Sequence, residues 1–419
     1  MDPALMRHVG GTSWLDQAIR PDEPFNGWSV RGWLMALKRR RLAERRRAVG
    51  YSQERLADRL GVERSTVGRW ERAETDPLPY IRPMLAAVLG VSLQELDGLL
   101  GGGDSDQVER PQRLEQAFGD PTGADLVDVA HLRERIQTLV AEYDRTPSVL
   151  LLTAAGQRHG QVTYLRRNAA ARLVRHELAV VEAESATLMG QLVWDVSQRR
   201  DHVTASRYFD DAIAAARYVR DGFGEAHAQL RKSYIALYGT RTPSNGLALA
   251  KAAARSAAPH SRALAGIALM HVGEALAMLQ DERGCDESLA VAREHFADVD
   301  DDDPAAEYFT PGDFARMTGS CHLFLGGMRC AVDDLRSAAE GEKKADAIVL
   351  GNLSLACLRL RRLEEAMEAL HRAIGVVEET RGGGGLNLVF AVGRELRPWR
   401  REPVVEEAAD RLFALMSVV

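Results

Sequence analysis

Arg64, Ser65, Thr66, Arg69 and Arg72 crowd into nine residues, "RSTVGRWER". Arginine forks two N–H groups onto the O6 and N7 edge of guanine, and serine and threonine reach bases or phosphates. The chemistry these residues point to is recognition of a nucleic acid, not bond making. The local charge agrees. From Arg31 to Arg72 there are 13 Lys/Arg against 5 Asp/Glu, whereas residues 101–419 carry 38 against 47 and the whole chain has a net charge of −6. A basic island on an acidic body is the electrostatic footprint of a polyanion-binding module joined to a part with another task.

The residues around that run must hold it at an angle. Ser52 is a helix N-cap, with Gln53 and Glu54 in the first turn, where the helix dipole favours acidic and polar groups. Tyr51 and Leu56 are spaced as a hydrophobic staple. Leu56, Ala57 and Leu60 form one apolar stripe, and Val67 with Trp70 forms a second. Gly61 stops the first helix in the left-handed conformation that glycine adopts cheaply, and Val62 plugs the turn. Two short helices and a turn of about three residues make a helix-turn-helix, whose second helix enters the major groove. On this reading Arg64, Ser65, Gly68, Arg69 and Arg72 face outward, and Gly68 leaves room for close approach to DNA.

Residues 42–100 resemble the Cro/C1-type, XRE-like helix-turn-helix family across five expected helices: "LAERRRAV", "SQERLADRL", "RSTVGRWER", "YIRPMLAAVLG" and "SLQELDGLL". The resemblance implies that Gln53 is a phosphate or bridging residue, that Arg64, Ser65 and Thr66 sit near bases, and that Arg69 contacts backbone or base. It also implies an ion pair between Arg46 and Glu71 that braces the first helix against the third. Glu63 departs from the pattern, standing where the family often has a Ser or Thr cap, and Ala73 stands where it often has Gly.

The chain divides by composition. Residues 1–30 are weakly patterned, 31–100 form the helix-turn-helix domain, 101–122 read as a Gly-rich polar linker, and 123–419 are helix after helix. Abundant Ala and Leu with few β-branched runs predict an all-α protein. Within 123–419 a spacing recurs: an apolar stripe, a small residue, about twelve positions to another small residue, then apolar and small again. It runs Leu269, Val272, Gly273, Leu276, Cys285, Leu289, Ala292. It returns as Gly319, Ala331, Leu335, Ala338, as Leu350, Leu353, Ser354, Cys357, Ala366, Leu370, Ala373, and as Met189, Leu192, Val193, Val196, Ala205, Phe209, Ala212. These copies resemble degenerate tetratricopeptide repeats, stacked into an α-solenoid and closed by a C-terminal cap.

That resemblance implies a groove lined by the first helix of each pair. The register places Trp194, Gln198, Arg231, Met270, Glu274, Met278, Arg316, Phe324 and Asn352 on or near it. Trp, Met and Phe offer an adaptable apolar wall, Arg231 and Arg316 can fix a carboxylate, and Asn352 can bond a peptide backbone.

The whole arrangement resembles actinobacterial regulators with tetratricopeptide-like sensor domains, a composition matched by 49 Arg against 5 Lys. It implies a homodimer on an inverted-repeat operator in double-stranded DNA, a peptide or small-molecule effector, and control of secondary metabolism or development. A protein-interaction scaffold, with DNA binding secondary, is the other class that the repeats allow.

Catalytic and metal signals are weak, and neither an enzyme nor a cofactor is expected. "GGGGL" at 382–386 lacks the Lys-Ser/Thr of a phosphate loop. "DVDDDDP" at 298–304 lacks the Gly and terminal Glu of a calcium loop. His271 and Glu274 share a helix face without a second His. Cys285, Cys321, Cys330 and Cys357 include no C-x-x-C pair and read as packing residues. No run approaches the ~20 apolar residues of a membrane span, so a reduced cytoplasm is the expected setting.

Overall fold

A computed structural model describes residues 42–43, 45–46, 49, 51–71, 75, 77–78, 81–91, 93–100, 113–300, 303–339 and 343–417. The expected N-terminal segment, the basic residues before Leu42, Arg72, Ala73, the Gly-rich start of the linker and part of the 298–304 loop lie outside the described residues. Those described are helical or in turns, with no strand among them. The chain divides into two compact units, Pro21–His131 and Leu132–Val419.

In the first unit, Leu42, Ala43, Arg45 and Arg46 are helical. Then come α1 (Gln53–Leu60), α2 (Arg64–Glu71), α3 (Arg82–Leu89) and α4 (Leu93–Leu100). The Ser52 hydroxyl accepts from the Arg55 N–H at 3.1 Å, and Gly61 ends α1 at φ 67°. Both are the caps that the residue types dictate. Leu42, Leu56, Ala57, Leu60, Val67, Trp70, Leu85, Leu89 and Leu96 form one small core, with Tyr51 and Val62 packed on it. A further helical stretch, 113–119, lies inside the expected linker and buries Leu114 and Ala117. Arg113 pairs there with Asp125 and with Asp128. Composition marked the glycines of this segment but not the two apolar residues that give its end a place to pack.

The division between units falls within α5 (Leu126–Glu142). The second unit continues as α6 (Ser148–Asn168), α7 (Arg172–Val196), α8 (His202–Val219), α9 (Gly222–Tyr234), α10 (Pro243–Ala257), α11 (Arg262–Met278) and α12 (Glu282–Ala297). It ends with α13 (Pro311–Leu325), α14 (Met328–Ser337), α15 (Lys344–Arg359), α16 (Leu363–Thr380), α17 (Gly383–Glu395) and α18 (Pro403–Ser417). Consecutive helices pack as hairpins, and alternate helices α7, α9, α11, α13, α15 and α17 also touch in series. This is a helical-repeat architecture.

The repeated small residues are where the hairpins close. A Cβ on Gly319 would stand 2.6 Å from Leu335 Cγ, and one on Gly273 3.3 Å from Leu289 Cγ. The Ser354 hydroxyl donates to the Ala366 carbonyl at 2.7 Å. Seven residues after each of these three, Gly326, Gln280 and Arg361 have positive φ and turn the chain into the next helix. The repeat is thus written in backbone conformation as well as in side-chain size.

The series closes on itself. Asp195, near the end of α7, accepts from Ser148 Oγ at 2.6 Å and from the Gly383 N–H at 2.6 Å. Lys344 Nζ lies 3.2 Å from the same carboxylate and donates to Ser148 Oγ at 2.7 Å. Segments near residues 148, 195, 344 and 383 therefore meet at one buried polar knot. No described helix is long and apolar enough to cross a membrane.

Candidate nucleic-acid interface

The α2 helix is held by a buried charge pair. Arg46 Nε lies 2.6 Å from Glu71 Oε1, with the two side chains only 7% and 9% exposed. Arg46 also donates to the Tyr51 carbonyl at 2.7 Å. Gln53 Nε2 donates to the other oxygen of Glu71 at 2.6 Å. One carboxylate near the end of α2 thereby ties together the preceding helix, the start of α1 and α2 itself. The amide of Gln53 carries a second N–H, which fits a bridging role toward phosphate. Arg45, which the sequence did not single out, caps α3 by donating to the Leu89 and Gly90 carbonyls, both at 2.8 Å.

The opposite side of α2 is open. Arg64, Ser65 and Arg69 are exposed and Thr66 is half-buried. Among the described residues Arg64 makes only a surface pair, with Glu54 at 3.1 Å, a contact that water screens and a phosphate or base can replace. Ser65 Oγ donates to Glu63 at 3.1 Å, and Arg69 reaches Thr66 Oγ1 at 3.4 Å. Arg55 and Arg59 of α1 are exposed as well, and among the described residues neither they nor Arg69 is ion-paired to a carboxylate. Gly68 differs from expectation. It is buried with Val67, Trp70 and Glu71, so it serves packing and not the outward face. Arg72 lies outside the described residues.

Residues 42–96 match the helix-turn-helix family. No curated protein matches the chain. The helix-turn-helix domain ends near α4, and the match does not extend into the second unit.

In that unit the residues expected to line a groove are partly assembled. Arg231, Glu274 and Arg316 come together with three residues the sequence did not nominate: Tyr234, Tyr238 and His271. The Tyr238 hydroxyl donates to Glu274 and lies 3.1 Å from His271 Nδ1. The rings of Tyr234 and His271 are 4.5 Å apart at their centroids. Burial pushes the Tyr238 hydroxyl pKa well above its usual value, with Glu274 adding to it. Burial lowers that of His271, an effect Arg316 and Arg231 reinforce and Glu274 opposes. Arg231 Nε donates to His227 Nε2 at 3.2 Å. Arg316 pairs with Asp313 at 3.0 Å, while its Nε is buried with no acceptor.

The other nominated residues scatter. Met270 is buried in the main apolar core of this part of the chain, so it packs helices and lines no open surface. Trp194 is 5% exposed, its indole N–H without an acceptor and the Arg199 guanidinium 4.6 Å over its ring. Met278 is half-buried, Phe324 is exposed, and Asn352 donates to Ser320 at 3.2 Å. Gln198 sits in the turn after α7 at φ 51°. Tyr234 and Tyr238 carried one readable signal, their four-residue spacing on one helical face. Tyr238 stands in a π turn, Ile235–Gly239, an irregularity that often marks a binding site.

Proposed function

We propose that this chain is a sequence-specific, DNA-binding transcriptional regulator that acts as a homodimer on an inverted repeat. The observation that carries the reading is the presentation of Arg64, Ser65 and Arg69 on the open side of α2, while Arg46, Gln53 and Glu71 fix that helix from behind. Half-site pairing suits so small a reading surface, because one domain offers few base contacts. Replacing Arg64 with Ala should cost about 1–3 kcal/mol of binding, concentrated at one base position per half-site. Selection from a random duplex library followed by titration of single-base variants measures both numbers. An Arg64→Ala protein with the parent's affinity and base preferences would remove the assignment of α2 as the reading helix. Light scattering with and without the selected duplex tests the dimer, and a strict monomer in both would sink it.

The helical-repeat unit is assigned the sensing role, as a tetratricopeptide-like domain for a peptide or small acidic effector. Arg231 and Arg316 support this, guanidiniums on α9 and α13, the inner helices on either side of α11, both acting on its His271, with the Nε of Arg316 lacking a partner. An effector alters DNA binding only by its preference between two arrangements of the dimer. A tenfold change needs about 1.4 kcal/mol of such preference. If metabolite fractions shift operator binding of an Arg231→Ala/Arg316→Ala protein as they shift the parent's, the effector contacts lie elsewhere.

A further inference from the structure

Where the last hairpin meets the turn after α7, the second unit holds a cleft of about 1070 Å³. Asn387 Nδ2 spans this junction by donating to the Gln198 carbonyl at 3.1 Å. Five arginines line the cleft: Arg199, Arg200, Arg241, Arg394 and Arg397. Among the described residues, no lining side chain is Asp or Glu, and none of the five guanidiniums is ion-paired to a carboxylate. Elsewhere in this unit arginines regularly find partners, as Arg133 does with Glu184 and Arg411 with Glu378. Five converging, uncompensated cations repel one another, and an anion between them removes that cost.

The site also has built features. Arg199 Nε is buried with no acceptor, and its guanidinium packs over Trp194. A Cβ on Gly384 would fall 2.2 Å from Arg199 Nη2, so this position leaves the room that the guanidinium occupies. His202 Nε2 lies 2.8 Å from the Arg199 carbonyl.

The rest of the wall combines polar side chains, Gln198, His202, Tyr238 and Asn387, with an apolar stretch. Leu386 and Leu412 are buried and Phe390 is half-buried, while Phe413 and Met416 are exposed large hydrophobics of the last helix. A bare inorganic ion would leave that surface unused, and the volume is that of a site for a whole small molecule. A single carboxylate carries one charge and two oxygens. A phosphate monoester carries nearly two charges at neutral pH and offers three oxygens to several arginine forks.

We propose that this cleft binds a phosphate monoester carried on a hydrocarbon or aromatic body. The proposal stands apart from the DNA reading, because occupancy is measured directly on the protein.

The test is calorimetric titration of the full chain with octyl phosphate, octanoate and inorganic phosphate, each as a separate arm. The expected result is saturable 1:1 binding of octyl phosphate, at least tenfold tighter than either of the other two. The double variant Arg394→Gln/Arg397→Gln should lose at least tenfold of that affinity. Both residues are exposed, and their loss relieves repulsion, so the unliganded variant should melt no lower than the parent. Absence of saturable octyl phosphate binding would overturn the proposal. So would parent-like binding by the double variant, equal binding of octanoate, which would make the ligand a carboxylate, or equal binding of inorganic phosphate, which would make the apolar wall irrelevant. Loss of duplex DNA affinity in the double variant, with no octyl phosphate bound by the parent, would reassign the arginines to the nucleic-acid backbone.

Discussion

Glu71 gathers donors from Arg46 and Gln53 in a site almost closed to water. Removing one member of a buried pair leaves the other charged and desolvated, which typically costs about 3–5 kcal/mol. Glu71→Ala should therefore destabilise the helix-turn-helix domain by about that amount, and Glu71→Gln by less, since an amide oxygen still accepts. Urea unfolding followed by Trp70 fluorescence measures both, and a parent-like midpoint for Glu71→Ala would refute the bracing role. Arg64→Ala should leave the same midpoint almost unchanged, because its pair with Glu54 lies largely in solvent. The contrast separates a residue proposed to read DNA from one that braces the helix carrying it. The brace was legible through the family resemblance, and the exposure of Arg64, Ser65 and Arg69 through the spacing of the apolar residues of α2. Gly68 was misplaced for the same reason the others were found. A helix of eight residues has faces so narrow that a glycine at their border can belong to either.

At the scale of the elements, the small residues of the repeats decide how closely hairpins shut. Gly319 and Gly273 occupy equivalent positions yet differ in clearance, 2.6 Å against 3.3 Å from the facing leucine. A methyl group at Gly319 must displace the branch of Leu335, whereas one at Gly273 needs a shift of a few tenths of an ångström. Overpacking of a filled core costs about 1–3 kcal/mol. Gly319→Ala should fall in that range, and Gly273→Ala should cost clearly less, offset in part by alanine's better helix propensity. Chemical unfolding of the two single variants ranks them, and the reverse order would contradict the packing described. The repeat itself was visible because small and large residues recur at fixed offsets. The register was less so. Met270 was expected on the groove and is in the core, because a helix that packs on three sides shows apolar residues almost all round and its periodicity no longer names one inner face. The segment 113–119 was hidden by the glycines before it, since composition averages over a window and its own buried residues are only two.

Across the second unit, the contacts that matter most for shape join residues far apart in sequence. Asp195 and Lys344 meet through a closure of the helix series that no local pattern encodes, and the arginines of the cleft converge only because of it. The same enclosure acts on histidines. Burial holds His227 down at about 3, with the Arg231 guanidinium contributing. Burial also lowers His159, His271 and His295 from their usual value. A base whose pKa is depressed by folding is neutral in the native state while its unfolded counterpart, near 6.5, takes up a proton first. The unfolded state then binds more protons, so stability rises with pH across that interval and is lost as pH falls from about 6.5 toward the folded values. His227 has a further consequence, since its neutral Nε2 is the acceptor for Arg231. Protonation would remove that acceptor and set two cations against each other. The melting temperature of the full chain should therefore fall between pH 7.5 and 5.5, above the range where exposed carboxylates titrate. The fall should be shallower in His227→Gln, whose side-chain oxygen still accepts from Arg231 but takes up no proton. Differential scanning calorimetry of both proteins across that interval is the measurement. Parallel slopes would mean that His227 is not among the groups that take up protons on unfolding, and a flat parent profile would mean that none of the four is.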